Sequence, residues 1–117
     1  MIIKNAKIKN VTAGTDSKRN LIVSMEFQAE FKLLSVFIVH LANPVELKNL
    51  VKLMGFVGVK EIKKLEGKII RVAKHESCII AIGHPIEDRF VDITNTMVDF
   101  IEELTEAALL KEYPETE

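Results

Sequence analysis

The chain has one cysteine, no tryptophan, three prolines and five glycines in 117 residues, and only 6% of it is aromatic. Each scarcity excludes something. A single Cys78 cannot form an internal disulfide, so the chain is not a disulfide-stapled secreted scaffold and fits a reducing cytoplasm. Few aromatics mean a mainly aliphatic core. The longest apolar run, around Leu33 to Ala42, is about half of what a membrane-spanning helix needs. No apolar stretch of signal-peptide type follows Met1, so none is expected. No Gly-Lys-Ser/Thr follows Gly14, which excludes a phosphate loop of that kind.

What is present is 48% hydrophobic and 28% charged residues, the balance of one ordinary globular domain over residues 1–117, with fraying expected from 113 to 117. The net charge of −1 conceals an asymmetry. Residues 1–75 hold 14 Lys and Arg against 6 Asp and Glu, a net +8; residues 76–117 hold 2 against 11, a net −9. The simplest expectation is that an acidic C-terminal helix folds beside the basic strands and neutralises them. The alternative is that the basic face meets a polyanion or an acidic partner.

The periodicity predicts a strand over residues 2–11, a loop over 12–20, and a half-buried strand over 21–30 with the clearest alternation in the chain. Phe31 and Lys32 fall at the turn. Residues 33–41, nearly all apolar and rich in β-branched side chains, predict a central strand covered on both faces. Asn43-Pro44-Val45-Glu46 predicts a capped helix start, with a stripe of Leu47, Leu50, Val51 and Met54 and an end at Gly55. A short helix is expected over 59–66, with Ile62 and Leu65 inward. Strands over 68–75 and 78–83, joined at His75-Glu76-Ser77, should pair antiparallel. Residues 86–93 read either as an extended segment or as a sixth strand. Thr96 should open a helix running to Tyr113, with Met97, Ile101, Leu104 and Ala108 on one face. The resulting fold class is α+β. It is a five- to six-stranded antiparallel sheet or an OB-like barrel, with one helix between the third and fourth strands and another at the C-terminus.

Between Leu50 and Val72 come Gly58-Val59, then Leu65-Glu66-Gly67-Lys68 and Ile70-Arg71-Val72; later come Ala81-Ile82-Gly83-His84, Asp88 and Phe90. This pattern, over about half the chain, is similar to that of small phage and prophage proteins, some associated with DNA replication or recombination. The resemblance implies a phage origin and a cytoplasmic life inside a bacterial host.

Candidate chemistry is sparse. His75, Cys78 and His84 are the one metal-like grouping, short of the four ligands of a structural zinc site. Cys78 opens an apolar run and is expected to be a buried thiol, and His40 a core or interface histidine. Glu87, Asp88 and Asp92 read as a solvated acidic face. No cofactor and no catalytic residue is expected. The strongest functional signal is basic: Lys18 and Arg19 on the first long loop, then Lys60, Lys63, Lys64, Lys68, Arg71 and Lys74. In an OB-like fold such residues would line a groove for single-stranded nucleic acid, with aromatics as stacking platforms. The competing expectation is a non-enzymatic protein-binding module, an inhibitor or modulator of a host, phage or defence protein. The apolar 33–41 strand and the two helix stripes would also allow a homodimer.

Overall fold

The computed structural model describes residues 1–100 and 102–114. Strands β1 (Ile2–Thr15), β2 (Leu21–Ala29) and β3 (Lys32–His40) come first. Helix α1 (Pro44–Val57) and a 3₁₀ turn (Ile62–Leu65) follow. Then come β4 (Ile69–His75), β5 (Cys78–Gly83), β6 (Phe90–Asp92), a 3₁₀ turn (Val98–Phe100) and helix α2 (Glu106–Glu112). The six strands make one antiparallel sheet in the order β3-β2-β1-β4-β5-β6. This is the expected α+β architecture. The order of the first five strands, with a helix between β3 and β4, is the neighbour set of an OB-type barrel. The barrel stays open: β3 and β5 approach each other without a ladder, and β6 occupies the edge of β5.

β1 outruns the expected boundary at Val11. It bends at a bulge between Lys9 and Thr12, where Asn10 has φ 55°, then resumes pairing with β2 from Thr12 to Thr15. Small and polar residues there read as a loop, but the ladder holds them extended. The true loop is shorter, with the Asp16 carboxylate accepting from the N–H groups of Lys18 and Asn20. The β2–β3 turn has positive φ at Glu30 (53°) and Phe31 (63°), as a two-residue hairpin of matching twist requires. Glu76 and Ser77 do the same between β4 and β5.

Helix α1 starts as expected, with the Asn43 side chain accepting from Val45 and Glu46 N–H. It does not end at Gly55. It runs to Val57 and stops at Gly58 (φ 72°), with Val59 N–H bonded to Met54 C=O in a Schellman closure. The extra turn buries Phe56. The buried stripe is therefore Leu50, Leu53 and Phe56, whereas Leu47 and Val51 of the expected stripe are exposed.

Two cores result. The first lies inside the curl of the sheet under α1 and includes Ile8, Met25, Phe27, Leu53, Leu65, Ile70 and Ile82. The second lies on the opposite face of β4–β6 and includes Met1, Ala73, Ile80, Ala81, Phe90 and Leu109. The second core explains why the long C-terminal helix does not form. Leu104 is extended and exchanges both backbone hydrogen bonds with Phe90 (2.8 and 2.7 Å), and α2 starts afresh behind a Thr105 cap. Residue 101 of the expected stripe lies outside the described residues. Tyr113 anchors the end, its hydroxyl donating to Asp92 Oδ2 at 2.9 Å.

Gly83 and Gly55 separate space from propensity. A Cβ on Gly83 would stand 2.4 Å from the Phe90 ring, which lies across it, whereas a Cβ on Gly55 meets nothing within 4 Å. Gly83→Ala is expected to destabilise by about 1–3 kcal/mol through overpacking. Gly55→Ala should stabilise by about 0.5–1 kcal/mol as a helical glycine replaced. Urea denaturation of both variants reads the opposite signs.

Candidate functional site

The basic residues singled out in the sequence do not form one groove. Lys18 and Arg19 sit on the loop joining β1 to β2, at the end of the sheet where β1 finishes. Lys74 lies at the other end of β1, opposite Ile2. Lys60, Lys63, Lys64 and Lys68 are together on the connection between α1 and β4, all exposed. That connection is strapped to the middle of β1. Gly67 N–H donates to Ile8 C=O at 2.7 Å, Ile8 N–H to Lys68 C=O at 2.9 Å, and the Glu66 carboxylate accepts from Asn10 and Val11 N–H.

Arg71 is committed internally. It lies on the outer face of β4, opposite Gly83. Its Nε donates to His84 C=O at 2.9 Å, its Nη2 donates to Glu87 C=O, and its guanidinium stacks 4.9 Å from the Phe90 ring centre. The His84 ring accepts at Nδ1 from Ile86 and Glu87 N–H. Arg71 and His84 thus shape residues 84–89, an internal task that the sequence reading gave to neither.

The expected neutralisation by the acidic C-terminal part takes a different form. Glu103 forks onto Arg89 (2.8 and 3.0 Å) and stands 3.6 Å from Lys52. Among the described residues, Lys60, Lys63, Lys64 and Lys68 make no ion pair. One more expectation is overturned, at Cys78, and of the core and interface alternatives for His40 the core is excluded. Cys78 follows the tight turn and is exposed, not buried. His40 ends β3 with its side chain 46% exposed, and its Nδ1 is 2.9 Å from Glu46 Oε1. His40 lines an open cleft of about 600 Å³ with Asn20, Leu21, Asn43 and Thr96. Among the described residues no three His, Cys, Asp or Glu side chains gather as a metal site.

The largest surprise is β3. The sequence predicts a central strand; the structure makes it an edge. Its inner face packs Leu34, Phe37 and Val39 against the first core. Its outer face exposes Leu33 (55%), Val36 (47%) and Ile38 (45%). Phe31, at the tip of the adjoining turn, is fully exposed in a left-handed conformation that bulky residues rarely adopt. An apolar run reads alike for a doubly covered strand and for an edge with one bare face, because the run itself says nothing about sheet order. The other aromatic rings differ. Phe27 stacks on Phe37 within the first core, and Phe56 and Phe90 are buried.

Three carboxylates are held below their ordinary range. For Glu103 the cause is the Arg89 fork, for Glu66 the Val11 N–H, and for Asp16 the Asn20 N–H. A carboxyl whose folded pKa lies below its unfolded one stabilises the fold above the unfolded value, and this contribution is lost as pH falls through the folded value. Stability should therefore drop as pH falls below the ordinary carboxylate range. Glu103→Gln should lower stability at neutral pH and flatten that acid limb, as thermal midpoints measured across acid pH would read.

No protein-family model matches the chain, and no curated protein and no solved structure shows significant similarity to it.

Proposed function

We propose that the chain is a non-enzymatic protein-binding module whose working surface is the edge strand β3. In this reading it is a phage or prophage protein that inhibits or modulates a host or defence protein in the bacterial cytoplasm. The observation that carries the reading is the apolar strip of Leu33, Val36 and Ile38, bordered by Ser24, Glu26 and Gln28 of β2 and ended by the strained, exposed Phe31. Apolar residues in a row with a polar rim are the composition of a recognition patch. An open strand edge adds main-chain donors and acceptors for an incoming strand. Among the described residues no helix is long and apolar enough to cross a membrane, which accords with this reading.

A second reading, an accessory protein that binds single-stranded nucleic acid, is favoured by the OB-type strand order and by the unpaired Lys60, Lys63, Lys64 and Lys68. It is weakened by the aromatics. The middle of the β2–β3 outer face, where OB-folds bind oligonucleotides, offers aliphatic side chains, with rings at its ends alone, on Phe31 of the turn and on His40.

One experiment with two arms decides between them. Tagged wild-type protein and Ile38→Lys are used to capture proteins from a lysate of the host bacterium. Fluorescence anisotropy with a single-stranded oligonucleotide is run on wild type and on a variant with Lys60, Lys63, Lys64 and Lys68 changed to Glu. The protein-binding reading expects a defined partner that Ile38→Lys loses and the lysine variant keeps. Absence of any β3-dependent capture overturns it. If oligonucleotide binding also appears, depends on the lysines and weakens about 50-fold from 50 to 200 mM salt, the second reading replaces it. That factor is what roughly four phosphate contacts imply at a slope of about 0.7 each.

A further inference from the structure

We infer that β3 pairs with β3 of a second copy, antiparallel about a two-fold axis at Val36, joining two six-stranded sheets into one. The inference rests on the reading of β3 as the working surface and names its partner as this chain itself.

The two edges of the sheet are treated differently. The outer edge of β6 is only three residues long, and at Phe90 it is already bridged by Leu104. The nine-residue edge of β3 is capped at His40 by Glu46, bulges at Leu34 and comes near β5, but among the described residues no strand pairs with it. Natural edges are usually protected by proline, charge or brevity. From Leu33 to Val39, β3 has no proline and no charged residue. Its hydrogen-bonding sense is fixed at one end. Leu41 N–H turns inward to Leu21 C=O at 3.1 Å, whereas His40 N–H turns outward and is taken by the Glu46 carboxylate at 3.0 Å. By the alternation of an antiparallel ladder, Val36 and Ile38 also direct their N–H and C=O outward. Among the described residues those groups meet no backbone partner outside the strand's own ladder, and one side chain, the Ser35 hydroxyl, donates to Val36 C=O at 3.4 Å.

The strand is self-complementary. A two-fold at Val36 pairs the middle of the strand, between the bulge at Leu34 and the His40 amide that Glu46 already takes. Val36 faces its symmetry mate, and the bare sides of Leu33 and Ile38 from the two copies lie together. An uncharged apolar middle that matches itself about the axis fits a second copy. A strongly charged partner would find nothing to pair with between Leu33 and Val39.

The test is light scattering coupled to size-exclusion chromatography across the micromolar range, with two variants. Val36→Pro removes only an outward N–H, a place where an edge strand tolerates proline. Val36→Cys, in a Cys78→Ser background, places two thiols across the axis at a Cα separation of about 5.5 Å, which a disulfide can bridge. The expected result is a wild-type dimer that Val36→Pro halves in mass. Val36→Cys should also form a covalent dimer under mild oxidation, whereas Phe31→Cys in the same background should not. A monomeric wild type overturns the inference. So does a dimer that survives Val36→Pro, and so does a failure of Val36→Cys to cross-link, which remains readable if the proline variant does not fold. A monomer that still captures a partner through Ile38 would remove the self-pairing alone and leave the protein-binding reading standing.

Discussion

The bend in β1 is the constraint on which the rest depends. One continuous strand serves both halves of the sheet. Its later residues pair with β2, and Ile2 to Lys7 pair with β4. A straight strand of that length would make a flat sheet with no inside. The bulge between Lys9 and Thr12 breaks the ladder and frees two amides, which Glu66 meets. The carboxylate accepts from both, and Gly67, with φ 82°, lets the chain reverse directly into β4. Leu65, beside Glu66, is fully buried. The short segment from Leu65 to Lys68 therefore sets the curvature, seals the first core and orients the exposed lysines at once.

The second core follows from the same curvature. With β4 and β5 turned away from β2 and β3, their outer face needs its own cover. Ala73, Ala81 and Gly83 are small, which lets Phe90, Leu104 and Leu109 lie close against the strands. Arg71 finishes this face, its guanidinium over Phe90 and its donors on the carbonyls of His84 and Glu87. Arg89 extends the network to Glu103 and lies 5.3 Å from the Phe56 ring centre. The acidic C-terminal part is thus tied down by two or three specific cations and not by a diffuse field. The lysines of the α1–β4 connection are left facing water.

Local chemistry made much of this legible in the sequence. The Asn43 cap, the turn at Glu76-Ser77 and the clean alternation of β2 each depend on residues a few positions apart, whereas the turn expected at Phe31-Lys32 lies one residue earlier, at Glu30-Phe31. Failures occurred where the deciding contact is distant. Thr12 to Thr15 look like a loop unless β2 is known to pair with them. The stretch after Thr96 looks like one helix unless Phe90 is known to claim the backbone of Leu104. Arg71 looks like a surface cation unless the carbonyls of residues 84 and 87 are known to face it. Gly55 looks like a helix end because glycine permits one; burying Phe56 requires the helix to go on. The candidate site suffered most, since exposure of Val36 and Ile38 depends on sheet order, which hydropathy does not encode.

That last point bears on how the chain avoids aggregation. An edge without charge from Leu33 to Val39, with a bare apolar face, should be selected against in a protein that works alone. The opposite edge shows that this fold can protect itself. There a three-residue strand, the Leu104 bridge and the α2 cover leave little to pair with. Protection at one edge and its lack at the other are not symmetric accidents of composition, because the glycine, charge and turn chemistry needed to blunt β3 all occur elsewhere in the chain. Glu46 already caps the single outward amide at His40 and stops short of Ile38 and Val36. An edge trimmed at its end and left open along its middle has the form of a surface with a defined length of strand to receive.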